Sequence, residues 1–284
     1  MNFETNRDVL EWYERQERTL TNDYIDSIPW DTVKDHPFDE RFVPVLYYMR
    51  DVETLTDMYH REMMRTPTGK DPHISKFMER WGVEEITHGE VINRFLGELG
   101  FVSDAKWQTH VRRAVGFYYN ANTYILTMLT NLIGKEFTAT HMTFGAVNEM
   151  ATAQAYRRLR EKCGHPVLKQ ILTAIIREEA AHTNFYASVA KLELRNKPFA
   201  QKLARYVIEK FWKPVGEGAL GIPRTDYVIS VLFGDQEGLD MLDKTVTQRL
   251  NHFPGFDGVR KINDTMSSII ERSIKTVGPT VVEA

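Results

Sequence analysis

Two copies of Glu-Glu-x-x-His, Glu84-Glu85-Ile86-Thr87-His88 and Glu178-Glu179-Ala180-Ala181-His182, lie in segments whose apolar residues recur with a helical period. Each has a further glutamate upstream: Glu53 precedes Glu85 by 32 residues, and Glu149 precedes Glu179 by 30. Residues three apart on an α-helix project from one face, so Glu85 with His88, and Glu179 with His182, can each grip one metal ion from a single helix. With nine His among 284 residues a lone Glu-x-x-His means little; position is what constrains the fold. The stripes read Phe42, Leu46, Met49, Glu53, Thr56 and then Phe77, Trp81, Glu85, His88, Ile92, Phe95. The next two read Met142, Gly145, Glu149, Thr152, Tyr156 and Leu168, Leu172, Ile175, Glu179, His182, Tyr186. Four carboxylates stand where the periodicity asks for core residues.

An unpaired buried carboxylate costs several kcal/mol, and four would exceed the roughly 5–15 kcal/mol of stability that a domain has. No Arg or Lys repeats on these stripes to serve as counter-charge. Two divalent ions would neutralise four Glu, with His88 and His182 giving one neutral nitrogen ligand per ion. The two helix pairs, each supplying half of the site, match the ligand plan of ferritin-like di-metal bundles: a Glu from each of two helices and Glu-x-x-His from each of the other two.

The remainder of the chain fits one helical core. It is 42% hydrophobic and 26% charged, with a formal net charge of −3, and we expect a single domain over residues 1–284. Glycine and proline fall mainly between the periodic segments, at Pro67 to Gly69, Gly97, Gly100, Gly134, Gly164 to Pro166 and Pro214 to Pro223. No period-two alternation argues for a sheet, so the spacing predicts an all-α fold, a four-helix bundle core with flanking helices. The metal-bearing helices are expected near 40–65, 70–98, 136–163 and 166–194, with a helical region over 195–284. A further helix is expected over 105–133, apolar through Phe117, Tyr118, Tyr124, Ile125, Met128, Leu129 and Leu132. The one cysteine, Cys163, excludes an intrachain disulfide and reads as a helix-end residue. No apolar run suits a membrane span, the first residues lack a signal-peptide pattern, and a cytoplasmic location without a nucleic-acid partner is expected.

Residues 197–213 are locally basic: Lys197, Lys202, Arg205, Lys210 and Lys213 against Glu209. Helical spacing separates Lys202 and Arg205 from Leu203, Tyr206, Val207 and Phe211, which describes an amphipathic helix with a cationic outer face. Such a face is either simply solvated or docks an acidic partner by electrostatic steering.

The block Trp81-x-x-Glu84-Glu85-x-x-His88-Gly89-Glu90 resembles the signature of the soluble acyl-acyl carrier protein desaturases. Asn148-Glu149-Met150-Ala151-Thr152 is similar to that family's third-ligand segment, Glu178-Glu179-x-x-His182 to its fourth, and Glu53, six residues before Tyr59, to its first. The likeness covers roughly residues 40–215. It implies a di-iron site held by Glu53, Glu85, His88, Glu149, Glu179 and His182, with Glu85 and Glu179 as bridges and Thr152 beside the oxygen site. It further implies O2, a ferredoxin-type electron donor, an acyl carrier protein meeting Lys197, Lys202, Arg205 and Lys210, and a homodimer. The reaction implied is removal of two hydrogens from a carrier-bound fatty acyl chain. Met58, Met142, Phe144 and Phe185 are candidate walls for an acyl channel, and Trp81 reads as core packing. Trp30 corresponds to a family tryptophan from which a hydrogen-bond chain reaches a metal-ligating His. The chain departs from the family in having Glu178 where Asp is usual and Met150 where a basic residue is usual, both positions that bear on hydrogen bonding around the ligands.

Carboxylate and imidazole donors accept manganese as well as iron. The ligands alone also leave open a hydroxylase, an N-oxygenase or a ferritin-type metal-binding protein. A ribonucleotide reductase small subunit is disfavoured, because Ile92 stands where that family carries its radical tyrosine.

Overall fold

The computed structural model describes residues 3–115, 127–128 and 130–277. Two short helices, α1 (Asn6–Glu14) and α2 (Asn22–Asp26), lead to a long hairpin of α3 (Val43–Met63) and α4 (Pro72–Glu98). α5 (Trp107–Ala114) follows, and a second hairpin pairs α6 (Thr138–Lys162) with α7 (Pro166–Leu194). The C-terminal part holds α8 (Pro198–Phe211), α9 (Glu217–Leu220), α10 (Ile222–Phe233), α11 (Gln236–Leu242), α12 (Gln248–Asn251) and α13 (Lys261–Val277). No strand occurs among the described residues, and the fold is an all-α, ferritin-like bundle with flanking helices. None of the described helices is long and apolar enough to cross a membrane.

Local chemistry fixes where the two motif-bearing helices begin. Both α4 and α7 start on proline, whose preset φ suits a first turn and whose missing N–H would have had no helical partner there. Asp71 caps α4, accepting from the His73 and Ile74 amides at 2.9 and 3.1 Å. His165 caps α7 through its ring, taking the Leu168 amide at 3.3 Å on Nδ1. Cys163 is the C-cap of α6, as its position before Gly164 predicts.

The two hairpins pack through α4 and α7, and α1 lies across both. The close approach of α6 and α7 depends on Gly145, because a Cβ there would fall onto the ring of Tyr186. Every residue of the first, second and fourth predicted stripes is buried. In the third, Met142, Gly145, Glu149 and Tyr156 are buried and Thr152 is half-buried. Outside the bundle, α10 packs on α3 and α6, with α13 behind it. Buried Arg158 on α6 secures this layer through Asp235 at 2.6 and 2.5 Å and the Leu232 carbonyl at 3.1 Å.

Two expectations need correction. No single helix covers 105–133: α5 ends at Ala114, and Val115 turns extended just before Gly116, a residue type with weak helix preference. Phe117, Tyr118, Tyr124, Ile125 and Leu129 lie outside the described residues, while Met128 and Leu132 are 73% and 83% exposed rather than core. On α8 the inward stripe is Ala200, Ala204 and Ile208, continued by Trp212, and Tyr206 and Phe211 face outward. Small alanines let this helix sit close to α6 and α7, so its larger apolar residues are left at the surface.

Candidate metal centre

The six glutamates and histidines singled out from the sequence converge in the bundle core. Glu53, Glu85, His88 and Glu179 can bring one ligand atom each within 4.8 Å of one another, and so can Glu85, Glu149, Glu179 and His182. Glu85 and Glu179 belong to both groups. Glu179 Oε1 lies 3.3 Å from His88 Nδ1, while its Oε2 lies 3.8 Å from His182 Nδ1, so this carboxylate faces both halves at once. Glu85 Oε1 is 2.9 Å from His182 Nδ1. Close as they stand to one another, the buried atoms Glu85 Oε1, Glu179 Oε1 and Oε2, His88 Nδ1 and His182 Nδ1 make no well-directed hydrogen bond. Buried polar atoms are rarely left so, and five of them aimed at one centre form a donor set for cations.

The electrostatics point the same way. Burial, then the charge of Glu85, pushes Glu53 far above the usual carboxylate range, and burial with Glu179 does the same to Glu149. Glu85 is pushed up to about 7 by burial and by Glu179 and Glu149. Burial opposes ionisation of Glu179 too, but the His182 and His88 imidazoles outweigh it and hold this carboxyl below its ordinary value. His88 shows the converse: burial alone would depress it, yet Glu178 and Glu179 raise it to about 9. A cluster that draws in protons this strongly is one that divalent cations can neutralise.

The first glutamate of each motif has its own task. Glu84 Oε2 meets His182 Nε2 at 2.8 Å, and Glu178 Oε2 meets His88 Nε2 at 2.9 Å, so each motif orients the imidazole of the other. Burial disfavours the Glu84 carboxylate, but hydrogen bonds from His182, Tyr13 and Arg80 outweigh it and hold its pKa at about 2. In the neutral imidazole that a cation would bind, an ionised acceptor on Nε2 fixes the proton on that nitrogen and leaves Nδ1 as the lone pair facing the cluster. Glu178, glutamate where the resembling family has aspartate, accepts the Thr19 and Leu20 amides at 2.7 and 2.8 Å. Tyr13 donates to Glu84 at 2.5 Å and Arg80 does so at 2.8 Å. The N-terminal segment thus closes one end of the site.

Two aromatic residues hold the outer carboxylates. Trp81 Nε1 donates to Glu149 Oε1 at 3.1 Å, which makes it more than the packing residue its stripe implied. The Tyr156 hydroxyl donates to Glu53 Oε1. Both rings fall on core stripes, and spacing alone predicts neither these bonds nor that of Tyr13; the doubled glutamate is the one sequence sign of a second set of carboxylates. The indole of Trp30 leads to neither His88 nor His182: it donates to the Ile25 carbonyl at 2.8 Å under the Arg94 guanidinium.

An apolar cavity of about 60 Å³ reaches the cluster at Glu53 and Thr152, and its far wall includes Val228, Ile229, Phe233 and Met266. The proposed walls Met58, Met142, Phe144 and Phe185 do not line it. Phe185 instead stacks on Phe77 with ring centroids 3.7 Å apart, filling the core. Met150 is likewise buried in the core.

The sequence pattern of the fatty acid desaturase family matches residues 50–210, more than half of the chain. The chain belongs to the fatty acid desaturase family. The matched stretch contains all six converging residues, Thr152 and most of α8. No curated protein and no solved structure matches the chain.

Proposed function

We propose that this desaturase is a di-iron, O2-dependent oxidoreductase that introduces a double bond into a fatty acyl chain carried by an acyl carrier protein. The observation that carries the reading is the meeting of the carboxylate and histidine cluster with the apolar cavity at Glu53 and Thr152. In this reading Glu53 and His88 would hold one ion, Glu149 and His182 the other, and Glu85 and Glu179, which belong to both groups, would serve both. Iron held there supplies O2 activation and the removal of two hydrogens, with electrons from a ferredoxin-type donor.

The chain's own residues supply position and exclusion. Glu84 and Glu178 keep the Nδ1 atoms of His182 and His88 directed at the cluster. The apolar walls of the cavity admit a hydrocarbon and disfavour water beside the reacting carbons. Thr152, from α6, lines the same cavity as Glu53, and its hydroxyl can donate a hydrogen bond at the oxygen site. The cavity is far smaller than the roughly 300–1,000 Å³ usual for ligand pockets, so acyl entry requires it to widen.

Carrier docking finds support on α8. Lys197 is paired with Glu193 at 2.7 Å, and Arg205 is engaged by Glu209 at 3.1 Å and the Asp257 carbonyl at 2.9 Å. Lys202 and Lys210 are exposed beside the outward-facing Phe199, Tyr206 and Phe211. The helix runs directly into Pro214 and Val215 on the cavity wall. An acidic carrier bound there stands next to the cavity its acyl group must enter.

The test is intact mass spectrometry of a panel of acyl carrier proteins after incubation with iron-loaded protein, O2 and a ferredoxin reducing system, beside Glu149→Ala. Loss of two hydrogens, absent in the variant, is the expected result. Gain of one oxygen would make the protein a hydroxylase, and no mass change with the iron site formed would overturn the carrier substrate.

A further inference from the structure

The two halves of the cluster are related by sequence but differ in how their terminal carboxylates are held. Glu149 accepts an indole N–H from Trp81 on α4, whereas Glu53 accepts the phenol O–H of Tyr156, which reaches it from α6. Tyr156 stands seven residues after Glu149. The position seven residues after Glu53 is His60, whose buried Nε2 has no hydrogen-bond partner, so the phenol tether is not repeated by the internal symmetry. Glu53 is also the terminal carboxylate that lines the apolar cavity, together with Thr152, and Glu149 does not line it.

A carboxylate can chelate an ion through both oxygens or bind through one. An oxygen already accepting a hydrogen bond from a buried phenol is a poorer donor to a metal, which biases the group toward binding through the other oxygen. We propose that Tyr156 is a positioning residue that restricts Glu53 to one-oxygen binding and so keeps a coordination position open on the cavity side, in the half formed by Glu53 and His88. Glu149 also accepts a hydrogen bond on one oxygen, so what selects the half is the cavity: it reaches Glu53 and not Glu149, and an exogenous small ligand then binds in the Glu53 half, against Thr152. The inference rests on the dimetal reading above and adds which half is open and which residue keeps it so.

The test uses the full chain loaded with cobalt(II), whose visible absorption reports coordination number, titrated with azide as the small ligand. The wild-type protein is expected to take up two cobalt ions and bind azide. Tyr156→Phe is expected to take up two cobalt ions, keep its circular dichroism spectrum, and bind azide at least about tenfold more weakly, as the freed Glu53 oxygen closes the position. Trp81→Phe, which frees the Glu149 oxygen away from the cavity, is expected to weaken azide binding less than Tyr156→Phe does, and an equal or larger effect would overturn the assignment of the open position to the Glu53 half. Should the phenylalanine variant fold poorly, Tyr156→Leu carries the same expectation.

Unchanged azide affinity in a two-cobalt Tyr156→Phe protein overturns the proposal alone. Loss of one cobalt on that substitution also overturns it, because Tyr156 then secures metal binding rather than an open position. Wild-type protein that takes up no cobalt overturns the dimetal reading and this inference together.

Discussion

Glu179, which like Glu85 belongs to both halves of the cluster, turns its two oxygens to the Nδ1 atoms of different histidines. Glu149 belongs to one four-residue group only. Glu179→Ala is therefore expected to abolish binding of both ions and Glu149→Ala to remove one, as read by the metal-to-protein ratio of purified protein in plasma mass spectrometry. Away from the cluster, His141 gives a separate pH signature. Burial pushes its pKa down to about 3, and its Nδ1 pairs with Thr68 Oγ1 at 2.8 Å. The unfolded chain takes up this proton below an ordinary value near 6.5 while the folded protein refuses it, so the contribution is whole above that pH and drains away toward pH 3. At pH 5 the loss is up to about 2 kcal/mol. Urea titrations at pH 7 and pH 5 are expected to show the wild type losing up to that much more than His141→Asn, whose side chain cannot be protonated.

At the scale of helices, the site depends on how closely the hairpins pack. Gly145→Ala drives a methyl group into the Tyr186 ring and is expected to cost about 1–3 kcal/mol, visible as a lowered Tm in calorimetry. The helix boundaries were legible: proline and glycine mark the ends of the four long helices, and the predicted spans at 70–98 and 166–194 agree with Pro72–Glu98 and Pro166–Leu194 to within two residues. The inward face of α8 was not legible, because a hydrophobic stripe is identified by large side chains, and close helix contact here is made by Ala200 and Ala204. The expected helix over 105–133 failed for a related reason. Apolar periodicity shows that a segment can be helical, while exposure of Met128 and Leu132 depends on what lies beside it.

For the molecule as a whole, a net charge of −3 makes the cationic face of α8 locally distinct. If that face receives the acyl carrier, Lys202→Glu with Lys210→Glu is expected to raise KM by about tenfold at low ionic strength with kcat unchanged, and the difference should shrink with added salt. Steady-state assays at two salt concentrations check this; an equal defect at both would place the carrier elsewhere. The sequence by itself determined the all-α class, the four long helices and the six residues that meet in the core, because helical periodicity converts spacing into a shared face and buried charge demands compensation. Only the tertiary structure decided that Glu84 and Glu178 cross over to the opposite histidines, that residues 13–20 close that end, and that Trp81 and Tyr156 hold different carboxylates. It also decided that α10 and α13 supply the part of the cavity wall that Val228, Ile229, Phe233 and Met266 form, beside Glu53 and Thr152. These are contacts between segments distant in the chain, and no local period or spacing encodes which remote side chain will arrive.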